Sequence, residues 1–324
     1  MKQRAKNNRT LTLTDEELPR LRERLLSLDE LQAGSPWLDR IVHADLLEAI
    51  GHVPDASADL ILIDPPYNLT KHFGSNTFSA KKEAAYEDYL RSWLPQVCRK
   101  LKPTGSLYLC GDWRCTASLQ RVLGEELTII NRITWQREKG RGAQGNWKNS
   151  MEDIWFGVKN AKDYYFDVES VKLRRLVKAP YKQDGKPKDW QQTEDGGKFR
   201  KTCPPNYWND CPPENAMDDL VVPFWSMPEN TDHPTQKPEK LIAKLILASC
   251  PPGGTVIDPF LGSGTTAVVA RKLDRHYCGI ELNPEYACWA LKRLEKAATD
   301  TRIQGYEDGV FWERNEGKEI KKKK

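Results

Sequence analysis

A chain of 324 residues with a formal net charge of +4 is long enough to bury a sizeable core, as one large domain or two smaller ones, and does not by its overall charge announce a polyanion as ligand. No apolar run approaches a membrane span, and the basic start Met1-Lys2-Gln3-Arg4 is not followed by the apolar core of a secretory signal, so a cytoplasmic protein with no membrane partner is expected. Eight cysteines without a Cys-x-x-Cys pair read as reduced thiols rather than a metal site, and eleven tryptophans must either pack a core or stack on something flat.

Thr14 and Glu17 fit a capping box, and Leu18, Leu21, Leu25 and Leu28 follow at helical spacing, which predicts a helical N-terminal extension over 1–40 that packs on the main body. Ile41-Val42-His43-Ala44-Asp45 reads as a strand ending in an acid, with a short helix after it for which Asp45 is also placed as a cap. Leu60-Ile61-Leu62-Ile63 is uninterrupted aliphatic, as in a strand buried on both faces of a parallel sheet. Asp64-Pro65-Pro66-Tyr67-Asn68 stops it, because two prolines cannot continue the ladder. The loop from Asp64 to Lys82 reads as a lid. A helix from about Glu83 to Leu101 carries Tyr86, Tyr89, Leu90, Trp93, Leu94 and Val97 on one stripe, with a kink expected at Pro95. A strand at 106–110, a helix at 116–123 and strands at 128–135 and 153–158 continue an α/β alternation.

Between 136 and 230 the periodicity breaks down. Gly140-Arg141-Gly142-Ala143-Gln144-Gly145-Asn146-Trp147-Lys148 is a basic glycine-rich loop, and the stretch from Lys172 to Lys201 holds ten basic residues against four acids, with Tyr181, Trp190 and Phe199 between them. Such a surface attracts a phosphate backbone, although a solvated insertion with its own small core has the same composition. Regular structure returns at His233-Pro234-Thr235-Gln236-Lys237-Pro238, which opens a helix over 239–249. After it, Thr255-Val256-Ile257-Asp258-Pro259-Phe260-Leu261-Gly262-Ser263-Gly264-Thr265-Thr266 gives a strand, a glycine turn and a helix. Cys278-Gly279-Ile280-Glu281 is a further strand ending in an acid, and 284–295 is a helix. Residues 301–324 form a C-terminal extension with a lysine-rich tail.

Strand, glycine turn, helix, strand and terminal acid in about thirty residues is the plan of a Rossmann-like nucleotide site. Gly262 and Gly264 let backbone approach a ligand, Ser263, Thr265 and Thr266 offer polar groups at a helix start, and Glu281 is placed to accept from two ribose hydroxyls. The turn lacks both the third glycine of the dinucleotide fingerprint and the Gly-Lys-Ser/Thr of a P-loop. Asp258 would repel phosphate but attract an amino acid's ammonium group. S-adenosylmethionine, a nucleoside joined to an amino acid, satisfies both ends.

Asp64-Pro65-Pro66-Tyr67, the His233 to Pro238 segment and the Asp258 to Thr266 turn together resemble the amino-methylating DNA methyltransferases. Catalytic motif first, basic insertion second and cofactor motif last resembles the permuted order of that family's beta class of adenine-N6 and cytosine-N4 enzymes, over about 41–295. The resemblance implies a doubly wound, mostly parallel seven-stranded sheet with one antiparallel strand, a catalytic domain from 41–135 and 231–300, and a target-recognition region at 136–230. It implies S-adenosylmethionine as cofactor and double-stranded DNA as partner, with the target base flipped out. A cognate restriction endonuclease and a second copy of the chain are further partners it admits.

By the same resemblance Asp64 and the Pro65 carbonyl accept hydrogen bonds from the exocyclic amine, with Pro66 shaping the turn, and Tyr67 stacks on the base. The cofactor's adenine lies near Asp45 and Phe260, its ribose on Glu281, and its methionine end near Asp258, Lys237, Thr265 and Thr266. Arg141, Asn146, Trp147, Lys172, Arg174 and Arg175 are the DNA contacts expected. Asp at position 64, rather than the Ser common in cytosine enzymes, favours adenine. Cytosine N4 as acceptor, and a non-catalytic DNA-binding subunit that keeps the fold, are the alternatives.

Overall fold

The computed structural model describes residues 10–73, 76–141, 145, 147, 149–176, 182–188, 190–192, 198–208, 230–303, 305–307 and 309–311. Nine strands build the main sheet: β1 (Leu26–Ser27), β2 (Arg40–His43), β3 (Ala58–Ile63), β4 (Leu101–Asp112), β5 (Thr128–Arg141), β6 (Asn149–Val158), β7 (Tyr207–Trp208), β8 (Thr255–Asp258) and β9 (His276–Glu281). Their order across the sheet is β1-β2-β9-β8-β3-β4-β6-β5-β7. Only β6 runs antiparallel to its neighbours, β4 and β5. The expected seven strands with one antiparallel are therefore present, and a two-residue strand is added at each edge.

β3 shows why the aliphatic run had to be central. Leu60 and Leu62 face one apolar layer and Ile61 and Ile63 the other, all four of them buried. The first layer is closed by α6 (Glu239–Ser249), α7 (Thr265–Lys272) and α8 (Pro284–Ala297), the second by α4 (Glu83–Arg99) and α5 (Thr116–Glu126). β8 lies beside β3, with Val256 opposite Leu60 and Ile257 opposite Ile61, and β9 lies beyond it, with Ile257 opposite Cys278. Parallel neighbours end at the same edge, so Asp64, Asp258 and Glu281 emerge along one rim. This is where open α/β sheets hold their ligands.

Several elements depart from the sequence expectation. The N-terminal extension is not one helix: two short helices, α1 (Glu17–Arg22) and α2 (Leu28–Gln32), flank β1, which adds to the sheet beside β2. The capping box at Thr14 and Glu17 does form, with each residue's side chain accepting the other's N–H. Leu21 and Leu25 join the core, and ion pairs from Glu17 to Lys292 and from Arg20 and Arg24 to Glu295 dock the extension on α8. The strand expected at 106–110 is longer, β4 starting at Leu101 and taking in Lys102-Pro103-Thr104-Gly105. The loop read as a lid carries a hairpin, Lys71–Phe73 with Asn76–Phe78, and its base is tied by two hydrogen bonds between Asn68 and Lys81. Strands at 173–176, 191–192 and 198–202 form a small second sheet, which the C-terminal residues 306–307 and 310–311 complete through Phe311 and Leu173. No described helix is long and apolar enough to cross a membrane.

One buried ionic cluster fastens the helices of the first layer. The Glu239 carboxylate, at the start of α6, accepts from Lys272 of α7 at 2.7 Å and from Arg293 of α8 at 3.2 Å. Removing the single anion strands an arginine whose side chain is 1% exposed. Glu239→Ala is therefore expected to lower stability by about 3–5 kcal/mol, seen as a reduced urea midpoint at unchanged slope.

Candidate active site

Three segments far apart in the sequence meet at the tip of β3. Asp64 Oδ2 accepts from Lys237 Nζ at 2.6 Å and Asp64 Oδ1 from the Tyr67 hydroxyl at 2.8 Å. The same hydroxyl lies 3.1 Å from Glu152 Oε2, and Lys237 Nζ is 3.3 Å from that oxygen and 3.2 Å from the hydroxyl. An ammonium has three hydrogens, and here it has three acceptors: Asp64, Glu152 and the Tyr67 oxygen. Burial works to lower the Lys237 pKa, but the charges of Asp64 and Glu152 outweigh it and hold the group well above its ordinary value. Burial, and then the same two carboxylates, push the Tyr67 phenol well above its usual range, so it faces them as a neutral hydroxyl.

The second half of the site is the turn after β8. Asp258 is buried at the strand tip, with Oδ1 accepting from Phe260 N at 3.0 Å. Burial raises its pKa to about 7; bonds from Thr266 and the Phe260 N–H oppose that rise and the charges of Asp64 and Glu281 add to it. Glu281 accepts from Gly262 N and Asn283 N, each at 2.7 Å. Its pKa is nonetheless raised by burial, which those backbone bonds only partly offset. The ring of Phe260 meets Trp93 of α4 edge-on at 5.0 Å, which makes an aromatic wall beside the rim. Gly262 and Gly264 both have positive φ, and a Cβ on Gly264 would come within 2.3 Å of Ala290 Cβ. That glycine is needed for the close passage of α8, a role distinct from the ligand approach expected of it.

The segment before α6 is held from behind. Gln236 Oε1 accepts from the Thr231 hydroxyl at 2.7 Å and from Ser263 Oγ at 3.0 Å, and Thr265 Oγ1 donates to the Lys237 carbonyl at 3.1 Å. Arg293, fully buried, donates to the Ser263 carbonyl and to Thr265 Oγ1, each at 2.9 Å. Lys237 is thus fixed at the β3 tip by the glycine turn itself. His233 is buried against Tyr286, and its pKa falls to about 3, from burial first and then from the nearby charges of Lys237, Lys71 and Arg293.

Over residues 58–292 the sequence matches the family model described as DNA methylase. The chain belongs to the DNA methylase family. The matched span begins with β3 and ends within α8, so it contains Asp64, Glu152, Lys237, Asp258 and Glu281 and leaves Asp45 outside. The DNA adenine methyltransferase YhdJ of Escherichia coli (strain K12) is 35% identical over 259 residues, which cover 80% of this chain and 83% of that protein. The type II methyltransferase M.HpaI of Haemophilus parainfluenzae is 28% identical over 258 residues, covering 79% of this chain and 74% of its own. Among solved structures, the cytosine-N4-specific PvuII DNA methyltransferase shares the fold with a TM-score of 0.56 at 20% identity, covering 80% of this chain and 90% of that one. The complex of M1.HpyAVI with SAM gives 0.53 at 24% identity, with 78% and 98% covered.

The structure brings Asp64, Pro65, Pro66, Tyr67, Lys237, Asp258, Phe260, Thr265, Thr266 and Glu281 of this DNA methylase to one rim. Lys237, expected at the cofactor's methionine end, is engaged by Asp64 and Glu152. Ser263 and Thr265 spend their hydroxyls inside the protein, and Asp45 caps α3 (Leu46–Ala49) by accepting from Leu47 N at 2.8 Å. Pro65 is buried, and the Pro66 carbonyl accepts from Tyr86 at 3.3 Å. Of the expected DNA contacts, Trp147 is 91% exposed, and Lys172 is half-buried and ion-paired with Glu169. Asn146 and the side chains of Arg141, Arg174 and Arg175 lie outside the described residues. Sequence reasoning missed Glu152, Gln236 and Arg293. For Glu152 the signal was available, since Glu152-Asp153 puts two acids at the head of the otherwise apolar Ile154 to Val158.

His233 and Asp258 tilt stability in opposite senses. The folded imidazole stays neutral down to about pH 3 while an unfolded one protonates near 6.5, so acidification through that window favours the unfolded chain. The folded Asp258 keeps its proton up to about pH 7 while an unfolded one loses it near 3.8, so alkalinisation through that window favours the unfolded chain. In urea titrations across pH 4–6.5, His233→Gln is expected to make stability fall more steeply with rising pH than in the wild type, and Asp258→Asn to make it rise, each by up to about 1.4 kcal/mol per pH unit.

Proposed function

We propose that the chain transfers the methyl group of S-adenosylmethionine to the N6 amine of adenine at a specific site in double-stranded DNA. The observation that carries this reading is a carboxylate at a proline-locked strand tip, Asp64, paired with a buried lysine and set on the same rim as Asp258 and Glu281. The relative at 35% identity, named a DNA adenine methyltransferase, supports adenine, as does Asp rather than Ser at position 64.

The residues present fit the cofactor: a buried carboxylate, Asp258, for an ammonium group, an acid at the tip of β9, Glu281, for ribose hydroxyls, and the Phe260 ring for a purine. An incoming ammonium would draw the Asp258 pKa back down, since an opposite charge favours the ionised form. When bound, S-adenosylmethionine supplies an electrophilic methyl group on a sulfonium.

What this chain's residues do is prepare the nucleophile. An exocyclic amine is a poor one because its lone pair is delocalised into the ring. Asp64 accepting one N–H and the Pro65 carbonyl the other favour a tetrahedral nitrogen, whose lone pair is localised toward the methyl donor. Tyr67 offers a ring for the flipped base to stack on, and the partly buried rim limits the competition of water for these bonds.

The region 136–230 is the target-recognition region in this proposal, its basic residues attracting phosphate and Trp147 and its neighbours reading bases. A cognate restriction endonuclease is supported by two relatives named type II methyltransferases, M.HpaI and the M2.LlaDCHI of Lactococcus lactis, the latter 30% identical over 276 residues covering 80% of this chain and 90% of its own. A cytoplasmic location and a homodimer complete the proposal; sedimentation of the purified chain reads the second.

Asp64→Ala is expected to abolish methyl transfer to DNA while leaving S-adenosylmethionine binding by calorimetry unchanged. Sequencing DNA from cells that express the wild type, with reads sensitive to modified bases, should return N6-methyladenine in one motif; N4-methylcytosine would replace the adenine assignment. Charge reversal at Arg174 and Arg175 should weaken DNA binding more at low salt than at high, read by filter binding.

A further inference from the structure

Glu152 is a carboxylate where the strand pattern calls for none. It sits in β6 between Asp112 of β4 and Trp135 of β5, its side chain is 4% exposed, and only Asp153 separates it from the apolar run Ile154 to Val158. An acid this deep persists only with partners. Its partners include the Tyr67 hydroxyl at 3.1 Å and Lys237 Nζ at 3.3 Å, the same two groups that hold Asp64.

The Tyr67 hydroxyl has one proton and two carboxylates within reach. While it donates to Asp64 Oδ1, it takes one of that oxygen's two lone pairs. We propose that Glu152 is a positioning residue of the methyl-acceptor site: it takes over the Tyr67 hydroxyl and shares the Lys237 ammonium, leaving Asp64 Oδ1 to the amine of the target base. The inference rests on Asp64 being the acceptor of that amine's hydrogen bond. With Glu152 in place the hydroxyl turns from one carboxylate to the other and no hydrogen bond is lost; without it, each amine–Asp64 bond would orphan a buried hydroxyl proton.

Charge acts in the same direction. Two carboxylates around one ammonium leave the cluster with a net negative charge, which keeps Asp64 a strong acceptor. One carboxylate on one ammonium would be a neutral pair and a weaker one. The groups facing Asp64 are Lys237 from the segment before α6, Tyr67 from its own loop and Glu152 from β6; Asp258 of β8, Cys110 of β4 and Tyr86 of α4 lie within electrostatic range. Removing Glu152 takes a negative charge from beside the acceptor and removing Lys237 takes a positive one, so the two act in opposite senses on the pH profile of methyl transfer.

The test is single-turnover methyl transfer against pH for the full-length chain with duplex DNA, alongside S-adenosylmethionine affinity by calorimetry. Glu152→Gln is expected to slow transfer by at least about tenfold at unchanged cofactor affinity, with the acid limb of the profile moved to lower pH. Lys237→Gln should move that limb to higher pH. Glu152→Asp keeps the charge and should keep the wild-type limb with part of the rate, and it carries the test should Glu152→Gln not fold. Wild-type rate and limb in Glu152→Gln, or a loss of rate in the variants with every limb unmoved, overturns the proposal. Asp64→Ala separates the two readings: if it still methylates, the assignment of Asp64 fails, whereas an inactive Asp64→Ala beside a wild-type-like Glu152→Gln overturns the role of Glu152 alone.

Discussion

The Lys237 ammonium is the constraint from which the rest of the site follows. A charged group with a side chain 8% exposed has given up most of its hydration, and only close counter-charges compensate for that. It takes them from distant parts of the chain, Asp64 at the tip of β3 and Glu152 in the antiparallel strand β6, while Lys237 itself lies in the segment leading into α6. None of these groups is stable where it is without the others. The carboxylates would repel each other, and the ammonium alone would be a buried charge without a counter-charge. The site therefore comes into being only when the sheet is complete, which couples chemistry to folding at one point.

The permuted order of the sequence serves this coupling. Because β8 enters the sheet beside β3, the turn that carries Asp258 and the loop that carries Asp64 become neighbours although 193 positions of numbering separate them. The connection is reinforced from behind: Arg293 reaches from α8 to the Ser263 carbonyl and Thr265, Thr265 reaches the Lys237 carbonyl, and Gln236 reaches Ser263. The glycine turn is thus tied to Lys237, and through it to Asp64. The half of the rim suited to a nucleoside and the half suited to a flipped base are braced by one set of hydrogen bonds, as precise placement of two reactants requires.

How much of this was legible in the sequence depended on whether the signal was local. The aliphatic run before Asp64, the glycine turn after Asp258 and the helix at 239–249 each follow from a few adjacent residues, and each stands where it was expected. Lys237 was legible as a residue of the site but not in its role, because its partners are set by tertiary contacts. Glu152 carried a signal, two acids at the head of an apolar run, but such an acid reads as a solvated flank until the neighbouring strands close over it. The N-terminal leucines show the converse. Their helical spacing was real, but Leu26 found more burial as an edge strand beside Val42 than a continuous helix would have given it, and pairing with β2 overrode propensity.

The same cluster explains how a site can be stable while idle and still open to a substrate. In the structure every acceptor around Lys237 is satisfied, so the resting state has no unmet hydrogen bond to drive collapse or draw in water. Under the proposed role of Asp64, an amine arriving there competes with the Tyr67 hydroxyl, and if that hydroxyl gave up its bond with nowhere to go the exchange would cost about 1–3 kcal/mol, the penalty of an orphaned buried donor. Glu152, 3.1 Å away, reduces that penalty to the difference between two similar bonds. A second carboxylate beside the first is thus what makes exchange of partners at Asp64 nearly neutral, and the repulsion between the two is contained by the ammonium they share.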